Sequence, residues 1–208
     1  MQENYSKIME QHLRNLKTTD LKPSLLLHSC CGPCSSVALE RLTDYFNVTL
    51  LFYNPNIQPK EEFLKRQNEQ QKLIAKAGYN INIITPKYNE QEFLEYVTGL
   101  ESLPERSFRC QKCFELRLKK TAQIAKETNS NYFTTTLTTS PHKDAHVINQ
   151  IGLNIAKDYK VEFLCADFKK KDGYKRSIEF SKKYELYRQN YCGCLFSLKN
   201  VGKKASKV

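Results

Sequence analysis

Residues 25–36 read Leu-Leu-Leu-His-Ser-Cys-Cys-Gly-Pro-Cys-Ser-Ser. A short apolar run ends in two adjacent cysteines and Gly-Pro. That is a buried strand breaking into a tight loop before a helix, which 35–45 supplies with Val37, Leu39 and Leu42 at helical spacing. The alternation then repeats. Residues 48–53 (VTLLFY) form a second apolar strand, ended by Asn54-Pro55-Asn56; 59–77 is a charged amphipathic helix stopped by Gly78. Residues 81–85 read as a third strand, 90–100 and 110–128 as helices, and 132–137 as a β-branched fourth strand. Ser140-Pro141 opens a helix running to about Tyr159, 161–164 is a fifth strand, and 172–184 is a basic helix. Strands alternating with helices predict an α/β fold, a Rossmann-like mostly parallel sheet with helices on both faces. Loops that follow the strands of such a sheet gather on one rim, where ligands bind. Cys30, Cys31 and Cys34 follow the first strand, and Cys110 and Cys113 open the helix before the fourth. The 138–143 loop (TTSPHK) follows that fourth strand, so all three groups are expected on the rim. Cys192 and Cys194 join them if the C-terminal tail folds back over the site.

The chain has 208 residues, 40% apolar and 26% charged, which fits one globular domain with a core of its own. We divide it into a polar N-terminal helix or extension (1–22), an α/β core carrying the site (23–197) and a basic tail (198–208). No apolar run reaches the roughly 18 residues needed to span a bilayer, and the polar N-terminus has no secretory apolar stretch. The reading is cytoplasmic, with no membrane partner. The formal charge of +11 favours a polyanion such as nucleic acid, or marks a solvated lysine-rich face.

Of eight cysteines, seven fall in three tight groups: C-C-x-x-C, C-x-x-C and C-x-C. In a reducing compartment such clustering points to metal or redox chemistry rather than structural disulfides. Cys165 stands alone and reads as a small buried hydrophobe. Three readings of the clusters stay open on spacing. Cys31-Gly32-Pro33-Cys34 has the C-G-P-C of a thioredoxin-like dithiol, but that leaves Cys30 and two further groups without a role. Two C-x-x-C pairs would make a structural zinc site, though a chain with a sheet has little need of one. A [4Fe–4S] cluster takes four thiolates, which Cys30, Cys31, Cys110 and Cys113 can supply, leaving Cys34, Cys192 and Cys194 for a second metal or a redox pair. The C-x-x-x-C-x-x-C run common among radical enzymes that cleave S-adenosylmethionine is absent.

Other residues carry weaker signals. His142 could donate a proton or be an ordinary loop histidine. Asn54 could contact substrate or make the turn. Lys169-Lys170-Lys171 with Lys175 and Arg176 could bind phosphates or simply be solvated. Tyr53, Tyr187 and Tyr191 could stack on a base or pack internally.

The segments HSCCGPCS, FYNPNI, RCQKCFELRL, FTTTLTTSPHKD, DFKKKDGYKRSIE and LYRQNYCGC, in this order, resemble the signatures of the QueH type of epoxyqueuosine reductase and span about 25–197. The resemblance implies an oxidoreductase of tRNA processing that completes queuosine biosynthesis. It removes the epoxide oxygen of epoxyqueuosine at the wobble position of tRNAs for Tyr, His, Asn and Asp, without cobalamin. It also implies a [4Fe–4S] cluster on Cys30, Cys31, Cys110 and Cys113, and a second mononuclear metal, iron or zinc, at Cys34. Cys192 and Cys194 then serve as a redox-active disulfide pair or as ligands of the second metal, and an external donor supplies electrons. Tyr53 and His142 are the expected proton donors, and Asn54, Lys143 and Arg176 the expected substrate contacts. A zinc-bearing nucleic-acid-binding module, and a dithiol oxidoreductase using Cys31 and Cys34, are the alternatives.

Overall fold

The computed structural model describes residues 3–18 and 22–198. Five strands, β1 (Ser24–His28), β2 (Asn47–Leu51), β3 (Ile83–Ile84), β4 (Tyr132–Thr135) and β5 (Glu162–Phe163), form one sheet in the order β3-β2-β1-β4-β5. Every pairing is parallel, and Leu26 of β1 lies level with Thr49 of β2 and Phe133 of β4. Strand side chains alternate between faces, so the unbroken apolar run of β1 must be covered on both sides. Leu26 packs with α5 (Phe108–Glu127) and α6 (Ala145–Tyr159) on one face. Leu25 and Leu27 pack with α2 (Gly32–Leu42) and α3 (Lys60–Ala77) on the other. Each fully buried leucine contributes about 2 kcal/mol.

The remaining helices are α1 (Tyr5–Lys17), α4 (Gln91–Tyr96) and α7 (Gly173–Lys183). The Asn4 side chain caps α1 by accepting from the Lys7 N–H at 3.1 Å, and the helix buries Tyr5, Met9 and Leu13. The basic tail expected over 198–208 lies outside the described residues beyond Leu198.

Element boundaries moved where local chemistry outweighed periodicity. Helix α2 begins at Gly32, with Pro33 in its first turn, so Cys34 is helical and Cys31 is the residue at its start. Helix α6 begins at Ala145 rather than at Ser140-Pro141, because the Asp144 carboxylate accepts from the His146 and Val147 N–H groups. The β4 run ends at Thr135 and tightens into a 3-10 turn, Thr136–Thr139. The order of strands reverses between β1 and β4, which makes the loops after these two the rim where a doubly wound sheet takes its ligand.

Candidate metal centre

The loop after β1 brings three sulfurs together. The Sγ atoms of Cys30, Cys31 and Cys34 lie within 4.8 Å of one another, with Cys30 and Cys31 3.9 Å apart. All eight cysteines are free thiols. The loop is fixed from below and from the side. Ser29 and Ser35 hydroxyls donate to Gln70 Oε1 from α3 at 2.5 and 2.8 Å, and Asn54 Nδ2 donates to the Ser29 carbonyl at 2.8 Å. Across the switch point, the Thr136 hydroxyl accepts from the Cys30 N–H at 3.1 Å and donates to Cys30 Sγ at 3.4 Å. Gly32 is required by contact: a Cβ there would stand 2.8 Å from the Glu69 carbonyl oxygen of α3. The three thiols do not share charge equally. The Cys31 and Cys34 thiols donate to Cys30 and hold its pKa well below the ordinary thiol range. Cys31, giving its proton toward Cys30, is pushed up to about 12, and Cys34 is raised as well.

A second group comes from α5 and the tail. Cys110 and Cys113 sit in the first two turns of α5, where the Arg106 N–H donates to Cys110 Sγ at 3.3 Å. Cys194 packs with Cys113, Phe93 and Val97, so the tail does fold back over the rim. Buried Arg66 fixes it there, with Nη1 donating to the Cys192 carbonyl at 3.1 Å and Nη2 to the Tyr191 carbonyl at 3.3 Å. The Gln58 N–H donates to the Gly193 carbonyl at 2.8 Å, and Tyr191 Oη to the Gln58 carbonyl at 2.9 Å. Gly193 has φ +125, and a Cβ there would meet Ile57 at 3.0 Å and Arg66 at 3.1 Å. Burial pushes Cys113 up to about 11 and Cys194 up to about 12.

Both groups face one cavity of about 860 Å³, lined by Cys30, Cys34, Cys110, Cys113, Cys192 and Cys194. Gln189 of the tail reaches Cys31, its Nε2 donating to Sγ at 3.1 Å. Six cationic side chains line the same wall (Arg66, Arg106, Arg109, Arg117, Lys143 and Arg188) against two carboxylates, Glu105 and Asp144. Burial works against the charge of Lys143, but the sulfurs of Cys192, Cys30 and Cys34 outweigh it and hold the ammonium protonated. Four buried polar atoms of the wall have no partner among the described residues: Asn54 Oδ1, Asn56 Oδ1, Gln189 Oε1 and Arg117 Nη2. Each would cost about 1–3 kcal/mol if nothing occupied the cavity.

The expected site residues separate in space. Asn54, His142 and Lys143 line the cavity with the cysteines. His142 is exposed and accepts from Arg106 Nη2 at Nδ1, 2.9 Å away, so its proton sits on Nε2. Tyr53 is buried and its hydroxyl donates to Glu92 at 2.5 Å; neither is part of the cavity wall. Arg176 is also outside it, ion-paired with Glu40 at 2.7 Å and Glu179 at 3.2 Å. Cys165 packs in the apolar cluster under α5 and α6. The sequence reading missed Arg66, Arg109, Arg117 and Gln189. For Arg117 a signal existed: it follows Cys110 and Cys113 at i+7 and i+4, on the same face of α5.

The family model described as Epoxyqueuosine reductase QueH matches residues 25–200. A curated Epoxyqueuosine reductase QueH of Streptococcus pyogenes serotype M1 is 41% identical over 203 residues, covering 96% of this chain and 80% of that one. Its namesake from Thermotoga maritima is 35% identical over 191 residues, covering 89% and 95%. Among solved structures, the U34-tRNA thiolase NcsA from Methanococcus maripaludis with its [4Fe-4S] cluster shares the fold, with a TM-score of 0.54 at 13% identity over 97% of this chain and 74% of that one. With the family model matching nearly the whole α/β core and its cysteine-bearing tail, the chain belongs to the epoxyqueuosine reductase QueH family.

Proposed function

We propose that this protein is a cobalamin-independent epoxyqueuosine reductase acting on tRNA in the cytoplasm. The observation that carries the reading is the convergence of C-C-x-x-C, C-x-x-C and C-x-C on one cationic cavity in a chain of this family. The reaction takes up two electrons and two protons, breaks both epoxide C–O bonds, and leaves the cyclopentene diol of queuosine and water. An external donor supplies the electrons, and the tRNAs for Tyr, His, Asn and Asp are the substrates.

The donor set fits thiolate-bound metal, being all sulfur and set among cations. Ligands of one tetrahedral ion at about 2.3 Å from each sulfur stand about 3.8 Å apart. The 3.9 Å between Cys30 and Cys31, with Cys34 close by, therefore supports a single iron or zinc ion on these three. Cys110, Cys113, Cys192 and Cys194 are then the natural holders of a [4Fe–4S] cluster. This division differs from the sequence expectation, which gave Cys30 and Cys31 to the cluster and left Cys192 and Cys194 as a redox pair. When bound, such centres supply single electrons and a Lewis acid for the epoxide oxygen.

The chain's own residues do the rest. Asn54 and Asn56 offer buried acceptors to the hydroxyls of the cyclopentane diol. Exposed Arg106 and Arg188 at the cavity hold backbone phosphates, while Tyr174, 38% exposed beside Arg188, offers a stacking face for a base taken out of the anticodon. His142 lines the cavity with its proton on Nε2 and in this reading protonates the departing oxygen, whereas Tyr53 is engaged with Glu92. The fastened tail forms one side of the cavity that holds the sulfurs.

Anaerobically reconstituted protein, incubated with reductant and tRNA bearing epoxyqueuosine, is expected to yield a nucleoside lighter by one oxygen in mass spectrometry. Unchanged nucleoside from metal-loaded protein would sink the reading.

A further inference from the structure

Arg117 presents an electrostatic problem that the protein alone does not solve. Its side chain is 2% exposed, among the largest fully buried groups of the molecule. Its Nε donates to the Cys113 carbonyl at 3.1 Å, its guanidinium lies 5.7 Å from the Phe114 ring centre, and its Nη2 has no partner. Among the described residues, no carboxylate lies within ion-pairing distance of it. The contrast with Arg66 is direct, since that equally buried guanidinium is paired with Glu62 at 2.7 Å. A guanidinium does not escape burial by losing its proton, and an unpaired buried charge is strongly destabilising. Arg117 therefore needs an anion, and it lies on the cavity wall. The groups on the same wall that can become anions include sulfurs from three chain segments: Cys113 and Cys110 of α5, Cys192 of the tail and Cys30 of the β1 loop. Thiols become anions in earnest when a metal displaces their protons.

We propose that Arg117 is the counter-cation of the thiolate-bound metal centre: its Nη2–H donates to a metal-bound sulfur, and its charge balances thiolates from all three segments. The assignment rests on the metal-centre reading above. It makes Arg117 a positioning residue whose burial is unfavourable in the metal-free chain and favourable in the loaded one. The sign of its contribution to stability should therefore reverse with metal, which a purely structural arginine would not do.

The test is thermal unfolding of the full chain carrying Arg117→Met, an apolar replacement of similar length. The variant is measured metal-free in chelator with reduced thiols, and again after anaerobic reconstitution with iron and sulfide, with metal per chain and the visible spectrum recorded. Metal-free Arg117→Met is expected to melt above the metal-free parent. The reconstituted variant should melt below the reconstituted parent and retain less iron. Arg117→Lys, whose ammonium carries the charge once thiolates surround it, should after reconstitution retain iron and melt close to the reconstituted parent. A metal-free Arg117→Met that melts lower than the parent, or does not fold, overturns the assignment, as does a lysine variant that reproduces the methionine pattern. If the parent chain takes up no metal, the functional reading falls and this assignment with it. If the parent takes up metal and the two melting shifts share one sign, only the Arg117 assignment falls.

Discussion

Cys165 and Cys113 are buried to nearly the same extent, 9% and 8% exposed, yet their surroundings assign them different work. Cys165 sits among Tyr5, Ile155 and Phe163, and burial, with the Glu3 carboxylate adding to it, pushes its pKa up to about 11. Cys113 faces Arg117 and the other sulfurs of the cavity. Cys165→Ala is expected to cost about 1 kcal/mol in unfolding free energy and to leave metal content unchanged. Cys113→Ala should abolish the visible absorbance of the reconstituted protein while a single ion per chain remains. Cys34→Ala should do the reverse, losing the single ion and keeping the absorbance. Elemental analysis beside the spectrum checks all three, and loss of both metals from Cys34→Ala would refute the proposed division of sulfurs.

At the scale of elements, the tail is held by contacts that do not involve its cysteines. Arg66 ties α3 to the carbonyls at 191 and 192, and the Gln58 N–H ties the β2 loop to Gly193. Arg66→Met leaves the Glu62 carboxylate, 12% exposed, without its cation, with only the Tyr187 hydroxyl, among the described residues, still reaching it. Its expected cost is about 3 kcal/mol, with faster protease cleavage near 187–198. Gly193→Ala should also speed cleavage there, because its φ of +125 and the Ile57 contact both disfavour a Cβ. Equal cleavage rates in all three proteins would show that the tail is held by other means. Helix α2 has a similar dependence. Gly32→Ala would press against the α3 backbone, cost about 1–3 kcal/mol and displace Cys31 and Cys34, read as weaker binding of the single ion.

Over the whole molecule, a formal charge of +11 is accompanied by a cavity whose charged side chains are mostly cationic. A polyanion entering such a site releases counterions, so affinity falls with salt. Arg106→Ala and Arg188→Ala are each expected to weaken tRNA binding similarly for all substrate tRNAs and to reduce the salt slope by about one. Arg176→Ala should not, because that guanidinium is engaged by Glu40 and Glu179 away from the cavity. Filter binding at several salt concentrations separates these outcomes. Among the described residues no helix is long and apolar enough to cross a membrane.

Much of this was legible in the chain itself. The strand–helix alternation determined a parallel sheet, because each element's periodicity is a local property of its own residues, and strand polarity then put Cys30, Cys31, Cys34, Cys110 and Cys113 on one rim. Cys165 was separable from the rest by its isolation. What sequence could not determine was anything that depends on distance between segments. The closeness of Cys34 to Cys30 and Cys31, the return of the tail over the cavity, the turning of Tyr53 to Glu92 and the pairing of Arg176 with Glu40 are decided by packing. Arg117 shows the boundary most clearly. Its spacing from two cysteines was visible, but its need for an anion arises only once folding has buried it with, among the described residues, no carboxylate in ion-pairing distance.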